Sequence, residues 1–175
     1  MMSRKDNSAV FDIALVGLMV AVIEVFKFAM MGLPNIELTS FWLILFSKNF
    51  GKKVYWVVPV FTLIEGIVFG FNMWWIAYLY IWAILLFATL LVPKSAPEGL
   101  KAALYPIISA MHGFLFGILY APAQALIFGL SFEGMIAWIA AGIPMDIIHG
   151  ISNFAFGFLA LPLSKLLAKL SGTRR

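Results

Sequence analysis

Six ionisable residues stand inside apolar runs of this chain: Glu24, Lys27, Glu65, His112, Asp146 and His149. Groups of this kind are expensive in hydrocarbon and are candidates for binding or proton chemistry by default. The sharpest cluster is Asp146, His149 and Asn153. Their spacing of three and seven residues puts them on one helical face, within about 60° of each other. Together they offer an anionic acceptor, a titratable ring and an amide, a set suited to orienting a small polar ligand. The same trio also has a purely packing role open to it. Asp146 stands at the third residue of a helix expected to begin at Pro144, where the helix dipole favours a carboxylate. His149 and Asn153 can bridge to a neighbouring helix.

A second constellation is aromatic. Trp74, Trp75, Tyr78 and Trp82 fall within a 100° arc of one helix, and flat walls of this kind suit a planar or cationic ligand. Trp74 and Trp75 are equally placed for an interfacial aromatic belt, so Tyr78, one turn deeper, is the stronger ligand candidate. Glu24 and Lys27, three apart, can neutralise one another. Glu65 has no partner nearby in sequence and is left for Lys27 or a bound cation. His112 is a candidate for packing against another helix or for ligand contact. No phosphate-binding glycine loop, H-E-x-x-H metal pair or serine nucleophile elbow is present. With no cysteine in the chain there is also no thiolate chemistry and no disulfide. The expectation is a non-enzymatic protein without metal or cofactor.

The elements that must position these groups follow from composition. Of 175 residues, 63% are hydrophobic and 11% charged, and the mean hydropathy is +1.02. Ordinary soluble domains carry roughly 25% charged residues. A globule of this size cannot hide so much apolar surface from water, which excludes a soluble enzyme, a nucleic-acid-binding domain and a disordered chain. The expected fold class is all-α: a single-domain, polytopic six-helix membrane bundle with short loops. Spans are expected at about 11–31, 38–46, 54–70, 74–92, 102–128 and 144–170. The second is short, and 129–142 is a connection with room for an interfacial helix. The first run is too long for a signal-peptide core and is read as a retained span.

Sidedness follows from the basic residues. Eleven of the twelve Lys and Arg residues, including Lys48, Lys52, Lys53, Lys94, Lys101, Lys165 and Arg174, fall on one side of a six-span arrangement. The positive-inside rule then places both termini in the cytoplasm. On that topology most of the intramembrane polar groups, with Asn35, Asn72 and Gln124, gather toward the outer half. An outward-facing polar pocket in an otherwise apolar bundle reads as a binding site. A channel needs polar lining across the full thickness.

The chain resembles the substrate-binding S components of energy-coupling factor (ECF) vitamin transporters. The likeness rests on the six-span layout and on Leu33-Pro-Asn-Ile-Glu-Leu38, Leu63-Ile-Glu-Gly-Ile-Val-Phe-Gly70 and Trp74-Trp-Ile-Ala-Tyr-Leu-Tyr80. Ala141-Gly-Ile-Pro-Met-Asp-Ile-Ile-His149 and Asn153-Phe-Ala-Phe-Gly157 complete it. The resemblance implies a prokaryotic plasma-membrane subunit that captures a small vitamin or precursor from outside. Its implied partners are a transmembrane coupling subunit and two ATPase subunits. It implies Asn35, Tyr78, Asp146, His149 and Asn153 as substrate contacts, to which the aromatic argument adds Trp75. Lys27, Glu65 and His112 are secondary candidates. Family members dock through an Ala-x-x-x-Ala stripe in the first helix; here Ala14, Gly17 and Ala21 occupy that stripe, with Gly17 in place of an alanine. The outer-half carboxylates Glu24, Glu65 and Asp146 oppose only Lys27, so a planar neutral or cationic nitrogen heterocycle is the expected ligand. The alternative is a self-sufficient secondary transporter or channel for a small organic solute, although neither inverted repeats nor broken spans are evident in the sequence.

Overall fold

The computed structural model describes residues 4–72 and 74–170, and every regular element among them is helical. In order these are α1 (Arg4–Met30), α2 (Thr39–Phe50), a 3-10 segment (Gly51–Trp56), α3 (Val57–Phe69), α4 (Trp74–Leu90), α5 (Glu98–Phe114), α6 (Phe116–Phe128), α7 (Phe132–Gly157) and α8 (Ala160–Leu170). Three helical stretches among the described residues are long and apolar enough to cross a membrane: Ala9–Met30, Glu98–Phe128 and Phe132–Lys169. The 17 residues of α4 form a shorter apolar helix. At 12 residues α2 is only about 18 Å long.

Several boundaries differ from the sequence expectation, each for a local reason. The second helix continues past 46 to Phe50. Its polar residues stay on the helix because Ser47 Oγ and Asn49 Nδ2 donate to the carbonyls of Leu43 and Leu45, one turn back, each at 2.7 Å. The last long helix begins at Phe132 and not near Pro144. Ser131 caps it by accepting the Gly134 N–H at 3.1 Å, so Pro144 lies in the helix interior and the 129–142 connection shrinks to a tight turn. Gly129 supplies that turn with a left-handed φ of 63°. The same run then breaks after Gly157, and the fifth expected span breaks at Leu115.

The outer surface, unlike that of a soluble protein, is rich in large apolar side chains. Large apolar side chains such as Ile13, Trp56, Val25 and Leu126 are exposed around the bundle. The interior holds Phe41, Ile44, Phe61, Trp82, Leu85 and Leu86 together with Ser40, Glu65, Ser109, His112 and Asn153. Helices α5 and α7 touch backbone to backbone. A Cβ on Gly113 would lie 2.7 Å from the Gly150 nitrogen, and one on Gly157 would lie 2.5 Å from Pro106 Cα. Gly113 and Gly117 therefore form a small-residue seam toward α7.

Candidate functional site

A cavity of about 250 Å³ lies beneath the 31–38 loop. Lys27, Glu37, Tyr78, Trp82, Phe116 and His149 are among its lining residues. It is smaller than the roughly 300–1,000 Å³ of pockets for drug-sized ligands, so its occupant is small. The aromatic wall is ordered. Tyr78 stacks on Phe61 at 6.3 Å between centroids and meets Trp82 edge-on at 5.6 Å. Trp82 is buried, and its Nε1–H has no hydrogen-bond partner among the described residues.

The polar wall is built from the loop. Glu37 accepts the Ser40 backbone N–H at the first turn of α2, at 3.0 Å, where the helix dipole supports a carboxylate. His149 Nε2 stands 3.1 Å from the other Glu37 oxygen. An ionised carboxylate only accepts, so the ring nitrogen is the donor. Burial would push the Glu37 carboxyl upward, but the hydrogen bond and charge of His149, with the Ser40 contacts, outweigh it and hold the group at about 2.

Behind this wall runs a chain of hydrogen bonds. Asn153 Nδ2 donates to Ser40 Oγ at 3.1 Å, Ser40 Oγ lies 3.3 Å from His112 Nδ1, and His112 Nε2 lies 3.2 Å from the Ile81 carbonyl oxygen. The carbonyl can only accept, so Nε2 carries the proton and Nδ1 takes the Ser40 hydroxyl. His112 and Asn153 thus hold α2, α4, α5 and α7 in register, one layer away from the cavity.

The sequence candidates divide accordingly. Asn35, Tyr78, His149 and Lys27 line the cavity. Asn35 also ties the loop to α7, its Nδ2 donating to the Met145 sulfur at 3.0 Å. Lys27 forms an ion pair with Glu65, not with Glu24, and lies 4.9 Å from the Phe69 ring centroid. Glu24 is buried with neither carboxylate oxygen hydrogen-bonded among the described residues. Trp75 is not among the lining residues: its Nε1 donates to the Thr62 carbonyl at 2.6 Å and pins α4 to α3. Asp146 is likewise held elsewhere. Both of its oxygens accept the Gly117 N–H, at 3.1 and 3.2 Å. It does sit at a helix N-terminus, but that of α6 and not of its own helix.

The carboxylate at the cavity is therefore Glu37, which the charge count among intramembrane residues passed over because it lies in a loop. Its position three residues before Ser40, at the start of a helix, was the available signal. The expected acidic excess is absent from the lining, where Glu37 faces His149 and Lys27 is matched by Glu65. Ala14, Gly17 and Ala21 are exposed along α1, and nothing stands within 4 Å of a Cβ built on Gly17. Compared with known proteins, the chain matches no family model, no curated protein and no solved structure.

Proposed function

We propose that this chain is the membrane-embedded substrate-binding subunit of an ATP-driven micronutrient transporter of the ECF type. In this reading it is a six-span protein with both termini in the cytoplasm. Its ligand is a small planar vitamin or vitamin precursor, neutral or cationic and rich in hydrogen-bonding groups. The observation that carries the reading is the small aromatic cavity under the 31–38 loop, with Glu37 and His149 on one side and Trp82 and Tyr78 on the other. Glu37 has lone pairs to spare for a ring or exocyclic N–H. His149 fixes orientation, and Tyr78, Phe116 and the Trp82 ring form the aromatic wall on which the ligand stacks. Asn35 closes the loop over the ligand.

Sidedness gains support from Lys48, Lys94, Lys101 and Lys165, which line a single cleft on helix ends remote from this cavity. That grouping fits one cytoplasmic face under the positive-inside rule. The exposed stripe of Ala14, Gly17 and Ala21 is suited to close approach by a helix of the coupling subunit. Energy then comes from two partner ATPases, in keeping with the lack of any nucleotide-binding loop in this chain.

The experiment is affinity purification of the tagged chain from its native membrane. Recovery of one membrane subunit with two ATPases is the expected result. Uptake by proteoliposomes holding this chain alone, without ATP, would contradict it. One observation favours that second reading, a self-sufficient transporter: the interruption at Leu115, where Asp146 takes the Gly117 N–H, is the kind of broken helix such proteins use.

A further inference from the structure

Glu24 is a buried ionisable group for which the ligand cavity gives no account. It is 8% exposed on the inner face of α1, beside the fully buried Val20 and Ile23. Among the described residues neither of its carboxylate oxygens has a hydrogen-bond partner. The cation placed to answer it, Lys27, stands one turn further along the same helix but is engaged elsewhere. Its ammonium is paired with Glu65 of α3. The rings of Phe61, Phe69 and Tyr78 surround it with centroids at 5.7, 4.9 and 5.6 Å. Cation–π attraction thus adds to the ion pair in holding Lys27 to α3 and α4.

Two carboxylates therefore share one ammonium. Helix α1 packs on α2, the 3-10 segment and α3, and apart from Glu65 the charged groups on those elements lie at the opposite end. Lys53, in one segment with Lys52 and Tyr55, pairs with Asp12, about 18 Å back along α1 from Glu24. Lys48 lines the far cleft. At the cavity wall Glu37 faces His149, and Tyr78 meets Lys27 through its ring. With Glu24 and Glu65 both ionised, the cluster carries a net negative charge inside an apolar bundle. An unpaired buried carboxylate is costly there, and taking up a proton relieves the cost. Glu65 keeps its charge because Lys27 rests on it, so the proton falls to Glu24.

We propose that Glu24 is a proton-binding site inside the bundle, loaded at neutral pH and exchanging with water by way of the cavity that Lys27 lines. Lys27 is the link: its side chain is 24% exposed, against 1% for Glu65. Release of the proton leaves a second anion beside Lys27, so the charge presented to the cavity changes by one. Intramembrane carboxyls that move protons have this character.

The test is infrared spectroscopy of the purified full chain in a detergent free of carboxyl and ester groups. At neutral pH the parent is expected to show the C=O stretch of a protonated carboxylic acid. That band is expected to shift on transfer to heavy water, as an exchangeable proton requires, and to titrate away at alkaline pH. Glu24→Gln, which keeps the shape of the neutral acid, is expected to lose it. Glu24→Asp keeps the acid and moves the band in frequency, which decides the assignment even where the glutamine variant does not fold. A parent without the band at neutral pH overturns the proposal. So does a band that both variants leave unchanged, or one that does not shift in heavy water and so belongs to a sealed acid.

Discussion

His149 Nε2 lies 3.1 Å from Glu37 Oε1, which ties the loop after α1 to the middle of α7 across 112 positions of sequence. This one contact closes the wall of the cavity and fixes which carboxylate faces it. Its consequences are measurable in stability, in pH response and in binding.

Glu37 has an ordinary carboxyl value of 4.5 and is held at about 2 in the folded chain. A lowered value stabilises the fold fully above the ordinary value and loses that contribution as pH falls toward 2. Glu37→Gln should cost roughly 1.5–3 kcal/mol at neutral pH, the range for a hydrogen bond to a charged group. The gap in unfolding midpoint between parent and variant should narrow as pH falls below 4. A gap that stays constant down to pH 3 would contradict this assignment.

Asp146→Ala tests a different role. Because Asp146 accepts the Gly117 N–H at the start of α6, its loss should lower stability by about 1–2 kcal/mol, as for a helix cap. Ligand affinity measured on the folded fraction should change less than threefold. A large affinity loss with unchanged stability would return Asp146 to the binding site.

The two small-residue stripes should respond in opposite ways. Gly113→Ala forces a Cβ against the Gly150 backbone and should cost about 1–3 kcal/mol through separation of α5 and α7. Gly17→Leu meets nothing within 4 Å and should leave the isolated chain as stable as the parent. It should block recovery of the coupling subunit, as should Ala21→Leu. Intact complexes in both α1 variants would remove docking from this stripe.

Sidedness is open to labelling, since the chain has no native cysteine. Single cysteines at Lys52 and Lys94 should react with impermeant reagents only from the cytoplasmic side, and one at Glu133 only from outside. Arg174, expected with the first group, lies outside the described residues. Outside labelling at 52 or 94 would reverse the faces and the account of the cavity with them.

Helix identity and approximate order were legible because long apolar runs between Lys, Gly and Pro leave the backbone few alternatives. Helix ends were less so. Ser131 outranked Pro144 as a start signal because a side chain that caps a free N–H is stronger evidence than a residue merely tolerated in the first turn. Tyr78, His149 and Lys27 could be found by face and depth, and Asn35 came from the resemblance of the loop after the first helix. Asp146 could not be distinguished from them, since its partner, the Gly117 N–H, is freed by a break at Leu115 that no sequence period marks. Trp75 illustrates the same limit: its ring shares the Tyr78 arc, but a single bond to the Thr62 carbonyl turns it to α3. Glu37 escaped because its importance comes from a contact over a hundred residues away.

The central claim is that the cavity under the 31–38 loop binds a small planar heterocycle. It is tested most directly by calorimetric titration of the purified chain with a panel of water-soluble vitamins, repeated on Tyr78→Ala and Glu37→Gln. Tight binding of one neutral or cationic heterocycle is expected, weakened about 5- to 150-fold in each variant, as for loss of 1–3 kcal/mol of buried contact. Tight binding of a strongly anionic vitamin, undiminished in both variants, would contradict it.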